Sequence, residues 1–441
     1  MRSPVIAFGI LAATVSPTLI AAAPATPPIP GAGAVTNVPH SVPLDAARVP
    51  PLPNTNPLGF VNGGLQTGSN HKRADNPETA GGNARTGDTQ SSDGGSVANI
   101  GDPDSTITND DSNFGGDADT SISGDATGGN GRGFGPGGNA FTGNSGTARG
   151  GSVFNSGGSV DSTDGSNVPG AGNVSGTGDA IGGDAAFKKR AIDSDTAGGN
   201  AHSGSSSNTS SGSVFNEAED DGEITNTASN EFGGDNAGDS FSGDAIGGSG
   251  KDRGPGGNAS SGGAGASNGG RIVSEGGTVT NTDANTASNG GTSTSGDAIG
   301  GDVAKRAFDQ NTAGGDAHTG DSSNVNGGDV VNTAEDDGTV TNADSSFAGN
   351  GGDTTTGTAL GGNGDDRGPG GNASSGNSGN ARGGNVGNFG GNVDNTGGSN
   401  IAGTGGTSTT GDAIGGNVSS DGLDDEDDGL DDSDVPDFGR K

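Results

Sequence analysis

The sequence predicts a mostly β protein, a repetitive parallel β-solenoid rich in glycine and asparagine, and three observations lead to it. The chain repeats with a long period of 117 and then 116 residues, and each repeat divides into half-units of 56 to 61 residues. Short alternating segments such as GGTVTNT, GGDVVNT and DGTVTNA recur in the half-units and are typical of strands. Gly-Gly and Asp-Gly steps between them indicate turns. Stacked coils of this kind share a thin interior of Ala, Val and Ile, and their stability grows with copy number.

The composition keeps an alternative open, a largely disordered low-complexity polymer. The 441 residues include 97 Gly and no Cys or Trp, carry a formal net charge of −36, and are only 25% hydrophobic. Such a chain cannot bury enough apolar surface for a conventional globular core, because ordering the backbone costs roughly 1–2 kcal/mol per residue. Disulfides are excluded as a source of stability. The acidic balance disfavours nucleic acid, whose phosphates need Lys and Arg partners.

Repeated words define the organisation of the chain. The word GGNA or GGDA opens each half-unit, and words of the type SGDAIGG close it. We predict a signal peptide (1–22), a Pro-rich pro-segment ending in Lys-Arg (23–73), three repeat modules (74–190, 191–306 and 307–420) and an acidic disordered tail (421–441). The pro-segment contains ten of the 19 prolines, which indicates an extended, polyproline-like spacer.

The first residues indicate secretion. Arg2 precedes an apolar stretch that begins at Val5 and ends in the small residues Ala21–Ala23, the order found in secretory signal peptides. Pro17 interrupts the apolar stretch, and a membrane-spanning helix needs about 20 consecutive apolar residues. We therefore expect an extracellular or cell-wall protein with no membrane span after removal of the signal.

A Lys-Arg pair stands at the head of each long repeat, although Lys and Arg together number only 19. A processing protease of the kexin or furin type needs an accessible extended segment and two adjacent cations, and SNHKRAD, AFKKRAI and VAKRAFD provide both. The predicted processing residues are Lys72, Arg73, Lys188, Lys189, Arg190, Lys305 and Arg306. We expect cleavage after Arg73, Arg190 and Arg306, and charged loops between modules are the alternative.

A signal peptide, a Pro-rich leader and tandem repeats that each follow Lys-Arg resemble the fungal kexin-processed repeat proteins. The resemblance covers the layout of nearly the whole chain and implies a secreted precursor. Members of that group include surface peptides, pheromone precursors, toxins and precursors of cyclic peptides. The repeats of this chain are longer than most peptide products, and it has no Tyr or Cys for cross-linking. Both departures favour structural or surface products over a signalling peptide.

N-glycosylation is predicted at five Asn-x-Ser/Thr sequons. They are Asn173, Asn208, Asn258, Asn372 and Asn417. Asn258 and Asn372 form a matched pair, because both lie in the repeated word GGNASSG. Glycans at these positions would make the surface still more hydrated.

The sequence offers little for catalysis or cofactor binding, and we expect a non-enzyme with no cofactor and no metal site. His202 and His318 hold one repeat position, but Arg85 holds it in the first repeat. GGDADTSIS and GGNGDDRG faintly resemble the Ca²⁺-binding nonapeptide of β-rolls, yet their Gly/Asp order does not recur every nine residues.

Thr-x-Thr words offer a different possibility, since stacked ranks of them form a flat ice-binding face in some β-solenoids. They begin at Thr106, Thr278, Thr292, Thr339 and Thr407, which predicts a spacing too sparse to occupy every coil. The sequence thus favours a secreted, processed precursor of extracellular structural or interaction modules. Its expected partners are a processing protease, cell-wall polysaccharide or further copies of the chain. The alternative is an uncut solenoid that acts as an adhesin or binds ice or Ca²⁺.

Overall fold

A computed structural model describes residues 80–132, 135–185, 195–219, 221–232, 237–252, 254–304, 313–335, 337–365 and 368–419. All regular elements in these ranges are strands, and they stack as a parallel β-solenoid of six coils. The predicted fold class is therefore confirmed. The signal peptide, pro-segment, acidic tail and all three Lys-Arg pairs lie outside the described residues.

Each coil contributes six strands of two to five residues. Coil 1 holds β1 (Ala84–Arg85), β2 (Ser92–Asp93), β3 (Val97–Ile100), β4 (Thr106–Asp110), β5 (Ser121–Ile122) and β6 (Ala126–Thr127). Coil 2 holds β7 (Ala140–Phe141), β8 (Ala148–Arg149), β9 (Val153–Gly157), β10 (Ser159–Thr163), β11 (Ser175–Gly176) and β12 (Ala180–Ile181). The short β13 (Asp195–Thr196) precedes coil 3. Coil 3 holds β14 (Ala201–His202), β15 (Thr209–Ser210), β16 (Val214–Ala218), β17 (Glu223–Thr227), β18 (Ser240–Phe241) and β19 (Ala245–Ile246).

The remaining three coils repeat this order. After β20 (Gly250–Asp252), coil 4 holds β21 (Ala259–Ser260), β22 (Ser267–Asn268), β23 (Ile272–Gly276), β24 (Thr278–Thr282), β25 (Ser293–Thr294) and β26 (Ala298–Ile299). After β27 (Val303–Ala304), coil 5 holds β28 (Ala317–His318), β29 (Val325–Asn326), β30 (Val330–Ala334), β31 (Thr339–Ala343), β32 (Thr354–Thr355) and β33 (Ala359–Leu360). After β34 (Gly364–Asp365), coil 6 holds β35 (Ala373–Ser374), β36 (Ala381–Arg382), β37 (Val386–Phe389), β38 (Asn392–Thr396), β39 (Ser408–Thr409) and β40 (Ala413–Ile414), and β41 (Val418–Ser419) follows it.

Equivalent strands of successive coils form six parallel sheets, named here first to sixth in the order of the strands within a coil. The register keeps repeat positions together, so that Ala140 pairs with Ala84 on one side and with Ala201 on the other. One coil is thus one half-unit of the sequence, and one predicted module spans two coils. The sheets run without interruption from module to module.

The coil is flattened into two layers. The chain runs out along the first, second and third sheets and returns along the fourth, fifth and sixth. Ala side chains fill the space between the first and sixth sheets, as in the buried cluster that contains Ala140, Ala180 and Ala245. Val and Ile side chains fill the space between the third and fourth sheets, where Ile224 is fully buried. The interior is therefore thin and consists of small side chains from the two layers in contact with one another.

Buried asparagines supply much of the remaining cohesion. In the fourth sheet the Asn281 amide donates to the Asn342 Oδ1 at 2.8 Å and its own Oδ1 accepts from Asn226 at 2.9 Å. A parallel column follows the corner after the fourth sheet, where Asn167 and Asn230 adopt the positive φ that Asn tolerates. Each amide of such a column satisfies its neighbour, so these buried polar groups are tolerated.

Two columns of glycines join the layers directly. In the longer column the Gly257 N–H donates to the Gly248 carbonyl, and the Gly301 N–H donates to the Gly257 carbonyl, each at 2.8 Å. The same zigzag between outgoing and returning layers runs from Gly82 in coil 1 to Gly416 in coil 6. A Cβ at Gly257 would lie 2.0 Å from the Gly199 oxygen. Only glycine permits this approach, which explains why Gly-Gly recurs at both borders of each coil.

Candidate functional site

The chain passes from the sixth sheet of one coil to the first sheet of the next at one end of the flattened cross-section. In two of these passages, residues 186–194 and 305–312, which contain the second and third Lys-Arg pairs, lie outside the described residues. On either side of them the sheets remain paired, for example His202 with Phe141 across the first segment and His318 with Ser260 across the second. We call this end of the cross-section the loop end.

The outward side of the fourth sheet carries a regular array of mostly polar side chains, twelve of them Thr or Ser, which we call the threonine face. Its eighteen positions, coil by coil, are Thr106, Thr108, Asp110; Ser159, Asp161, Thr163; Glu223, Thr225, Thr227; Thr278, Thr280, Thr282; Thr339, Thr341, Ala343; and Asn392, Asp394, Thr396. Pairing keeps the positions in register, with Thr280 between Thr225 and Thr341. Neighbouring strands lie about 4.8 Å apart and alternate residues along a strand roughly 6.6 Å apart, so the array approximates a rectangular grid.

The threonine face collects three of the five Thr-x-Thr words named above, those at Thr106, Thr278 and Thr339 in coils 1, 4 and 5. A further Thr-x-Thr word, formed by Thr225 and Thr227, lies on the same face in coil 3. The words do not occupy every coil, as the sequence predicts, but the intervening strands still supply Thr. Sequence spacing concealed this, because equivalent threonines are separated by unequal lengths of chain.

The other two Thr-x-Thr words have a different role next to the fifth sheet. The Thr292 N–H donates to the Asp239 carboxylate at 3.0 Å, and the Thr407 N–H donates to the Asp353 carboxylate at 3.0 Å. The Thr407 hydroxyl donates to the same carboxylate at 2.5 Å. These bonds lower the pKa of Asp353 below its ordinary value, the hydroxyl bond contributing most.

A column of carboxylates runs along the sixth sheet, one residue before its strands. Each accepts a backbone N–H from the next coil: Asp125 from Asp179 at 3.0 Å, Asp179 from Asp244 at 2.9 Å, and Asp244 from Asp297 at 2.8 Å. Partial burial raises the pKa of Asp244; the Asp297 N–H opposes the rise and the charges of Asp179 and Asp297 add to it. The column illustrates why Asp and Asn are abundant, since their short side chains satisfy backbone donors between coils.

A column of apolar side chains lies beside these carboxylates. Ile181, Ile246, Ile299, Leu360 and Ile414 follow one another in register on the outward side of the sixth sheet. Ile181, Ile246 and Ile299 are 37–39% exposed. This column is narrow and is bordered by charge along its length.

A groove of about 790 Å³ runs along the coils at the loop end. Its lining repeats from coil to coil, with Ala or Pro on one side and Asn or Asp on the other, as Pro255 and Asn258 in coil 4. The lining amides belong to a column in which the Asn258 Oδ1 accepts the Asp316 N–H at 2.9 Å. A periodic polar groove of this kind suits an extended polymer better than a compact small molecule.

The predicted glycosylation sites are dispersed over the solenoid. Asn208, Asn258, Asn372 and Asn417 are exposed, whereas Asn173 is half-buried. The Asn173 amide also donates to the Ala118 carbonyl at 3.0 Å, a bond that a glycan on this nitrogen would remove. Asn258 and Asn372 occupy the groove column, two coils apart.

The two described histidines lie on the outward side of the first sheet. His202 and His318 share a column with Arg85, Phe141 and Ser260, and the rings of Phe141 and His202 lie 6.4 Å apart. Among the described residues no three His, Asp or Glu side chains form a group that could hold a metal ion. The part of the chain seen in the structure also contains no helix long and apolar enough to cross a membrane.

Comparison with protein-family models, with curated proteins and with solved structures gave no match to this chain. Its function must therefore be argued from its own residues.

Proposed function

We propose that the chain is a secreted repeat precursor, processed at its Lys-Arg pairs, that forms structural and interaction material outside the cell or in the cell wall. The observation that supports this proposal most strongly is the continuity of six parallel sheets across the module borders. The described part of the chain offers repeated columns of side chains and no cluster typical of catalysis.

Continuity of the sheets changes the expected outcome of processing. Cleavage after Arg190 and Arg306 would cut two connections and leave the hydrogen bonds between coils intact. Coils 2 and 3, for example, are joined in all six sheets, with Val214 on Val153 and Ala245 on Ala180. The mature product is then a nicked rod of three associated modules rather than three free peptides.

Intact-mass spectrometry of the culture medium from a secreting host, with and without its kexin-type protease, tests this proposal. Under denaturing conditions we expect three fragments that begin at Ala74, Ala191 and Ala307. Under native conditions the same fragments should elute together as one particle. A single uncut chain in both hosts would refute processing, and free modules under native conditions would refute the nicked rod.

The groove at the loop end favours a linear polysaccharide as one partner of this rod. Asn and Asp side chains repeat along it at the spacing of the coils, and Pro136, Pro255 and Pro369 supply small apolar surfaces between them. Co-sedimentation with insoluble cell-wall glucan or chitin tests this partner. Replacement of Pro255 and Pro369 by Asp should reduce binding, and equal binding by this variant would argue against the groove.

A second candidate function, binding to ice, is favoured by the threonine face. A grid of hydroxyl and methyl groups at fixed spacing can order water over a whole surface. Replacement of Thr225, Thr280 and Thr341 by Lys should abolish any thermal hysteresis of freezing. The same replacement at Ser210 and Ser260, on the opposite layer, is the matched control. Absence of thermal hysteresis in the unmodified chain would exclude this function.

A further inference from the structure

The six long sheets end together at coil 1 and at coil 6 within the described residues. In the part of the chain that the structure describes, no strand pairs with the outer edges of these sheets in the two terminal coils. Edges of this kind pair readily with other strands, and natural proteins normally blunt them with charge, proline or a covering segment. Here the two edges are also related by the repeat. The backbone donors and acceptors with which coil 5 pairs with coil 6 have equivalents on the outer edge of coil 6, where they could pair with a following coil.

Exposed apolar side chains concentrate in the terminal coils. Among the described residues, every large apolar residue more than 40% exposed lies in coil 1, in coil 6 or in β41, whereas those of coils 2 to 5 reach 37–39%. In coil 1 these residues are Ile100 (76%), Phe114 (56%) and Ile122 (48%). In coil 6 they include Phe389 (60%), Ile401 (52%) and Val393 (43%).

Two pairs of these residues share columns, Ile100 with Phe389 and Phe114 with Ile401, so the members of each pair would meet if coil 6 of one copy stacked on coil 1 of another. The column that begins at Ile100 and ends at Phe389 passes through Ser156, Glu275 and Thr333 in interior coils. Apolar residues in it therefore occur only at the two ends. Phe114 and Ile401 hold the equivalent position in coils 1 and 6, where Phe114 bridges to Val168 and Ile401 bridges to Phe347; this column also has apolar members in interior coils.

Backbone polarity is complementary at the same junction. In the first sheet the Ala84 N–H donates to the Asn139 carbonyl at 2.9 Å, and the Asn139 N–H donates to the Asn83 Oδ1 at 2.8 Å. In coil 6 the equivalent donor is the Ala373 N–H and the equivalent acceptor is the Asn372 Oδ1. In a following coil 1 the Asn83 carbonyl would accept from the Ala373 N–H, and the Asn83 N–H would donate to the Asn372 Oδ1.

In the second sheet, side chains of opposite charge at the two ends favour this arrangement. Its outward column begins at Asp93 and ends at Arg382, and both side chains are exposed. Stacking of copies places Arg382 beside Asp93 in the register that Asp93 and Arg149 already share within the chain. The column of carboxylates opposes stacking, because Asp412 would meet Asp125.

From these observations we infer that copies of this chain associate head to tail, with coil 6 of one copy pairing in register on coil 1 of the next. The contact is heterologous and does not close, so it produces filaments. Each copy adds six coils, or roughly 29 Å along the axis at about 4.8 Å per coil. The inference goes beyond the proposed function and requires neither secretion nor cleavage.

Sedimentation velocity and electron microscopy of the uncut full-length chain test this inference. We expect filaments that lengthen with protein concentration and with salt, because salt screens repulsion between copies that each carry a net charge of −36. A monomer at all concentrations and salt levels would overturn the inference, whatever the fate of the Lys-Arg pairs.

Blocked variants test the polarity of the contact. Ile100→Asp with Phe114→Asp blocks coil 1, and Phe389→Asp with Ile401→Asp blocks coil 6. All four side chains are more than half exposed, so the fold should persist. Each variant alone should remain monomeric, and an equimolar mixture should form one-to-one dimers. A mixture that stays monomeric would overturn head-to-tail association.

Two further variants separate this contact from other aggregation. Ile181→Asp with Ile246→Asp removes apolar surface from interior coils and should leave filaments unchanged; loss of filaments in this control would indicate lateral association instead.

Gly82→Ala adds a single Cβ at the open edge of coil 1, where it meets nothing within 4 Å. In a filament that Cβ would collide with the preceding copy, so we expect at least a tenfold weaker association. Unchanged association would contradict the proposed register.

Discussion

The glycine column makes a sharp prediction about stability, namely that Gly257→Ala destabilises the solenoid although alanine is the smallest possible addition. The new Cβ would lie 2.0 Å from the Gly199 oxygen and 3.0 Å from the Gly248 nitrogen. Ordinary contacts between carbon and oxygen exceed 3 Å, so coil 4 must move away from coil 3 by about 1 Å or more. That movement weakens the bonds that join coils 3 and 4 at this point, from the Gly257 N–H to the Gly248 carbonyl at 2.8 Å and from the Ala201 N–H to the Asn258 carbonyl at 2.9 Å.

The size of the effect follows from these bonds. A buried donor or acceptor left unsatisfied costs about 1–3 kcal/mol. Reduced freedom of the unfolded chain on replacing Gly by Ala returns about 0.4–1 kcal/mol. We therefore expect a net loss of about 2–4 kcal/mol in the free energy of unfolding, measured by urea denaturation followed by circular dichroism. Hydrogen exchange should show the loss concentrated in coils 3 and 4, because repeat proteins transmit perturbations mainly to neighbours.

Gly82→Ala is the matched control, since Gly82 holds the same position of the repeat in coil 1. A Cβ at Gly82 meets nothing within 4 Å, so the free energy of unfolding of dilute monomer should stay the same or rise by up to about 1 kcal/mol. Equal unfolding midpoints for the two variants would refute the steric explanation of the glycine column.

Three other substitutions and one control test the polar interior. Asn281→Ala should cost about 1–3 kcal/mol, because the Asn226 amide would keep only its longer bond to the Ser274 hydroxyl (3.3 Å) and the Asn342 oxygen only its longer bond from the Ser346 hydroxyl (3.2 Å). The control Asn395→Ala in coil 6, where the column ends, should cost clearly less by the same urea assay. Asp244→Asn keeps the acceptor for the Asp297 N–H and removes a carboxylate whose pKa is raised in the folded state, so wild-type stability falls as pH rises above the ordinary pKa of 3.8. The variant should therefore be more stable than wild type at neutral pH, by less than about 1 kcal/mol, and equally stable below pH 3.8. A constant difference in stability from pH 3 to pH 8 would contradict this prediction. Ser229→Ala should leave the free energy of unfolding unchanged or raise it by up to about 2 kcal/mol. The buried Ser229 hydroxyl has no hydrogen-bond partner in the structure, and coil 4 has Ala284 at the equivalent position. A clear fall in the free energy of unfolding would show that the hydroxyl does form a hydrogen bond.

Part of the architecture could be read from the sequence because repetition and alternation are local signals. The half-unit marked by GGNA and SGDAIGG is one coil, and alternating segments such as TVTNT at Thr278 form strands. Strand length was less predictable. The alternating segments do not reveal it: the strands of the first, second, fifth and sixth sheets have only two residues, because flanking glycines direct their N–H groups to the opposite layer.

Other features could not be read from the sequence because they depend on register. Equivalent positions of the fourth sheet are 53 residues apart between Thr106 and Ser159 but 64 apart between Ser159 and Glu223, so no fixed spacing exposes the threonine face. The apolar ends of the column from Ile100 to Phe389 are equally invisible until the strands are aligned. These residues can be recognised as a contact surface only when the structure shows that they lie in the first and last described coils.

The agreement between half-unit and coil has a consequence for how such a chain can change in length over generations. Its Lys-Arg pairs recur after 117 and 116 residues, and each interval encodes two complete coils. Unequal recombination between such segments of the gene inserts or deletes a pair of coils in register, with Gly still opposite Gly and Asn still beside Asn. The first and last coils remain as they were. Rod length is therefore free to vary by whole modules, while the chemistry of its two ends is inherited unchanged.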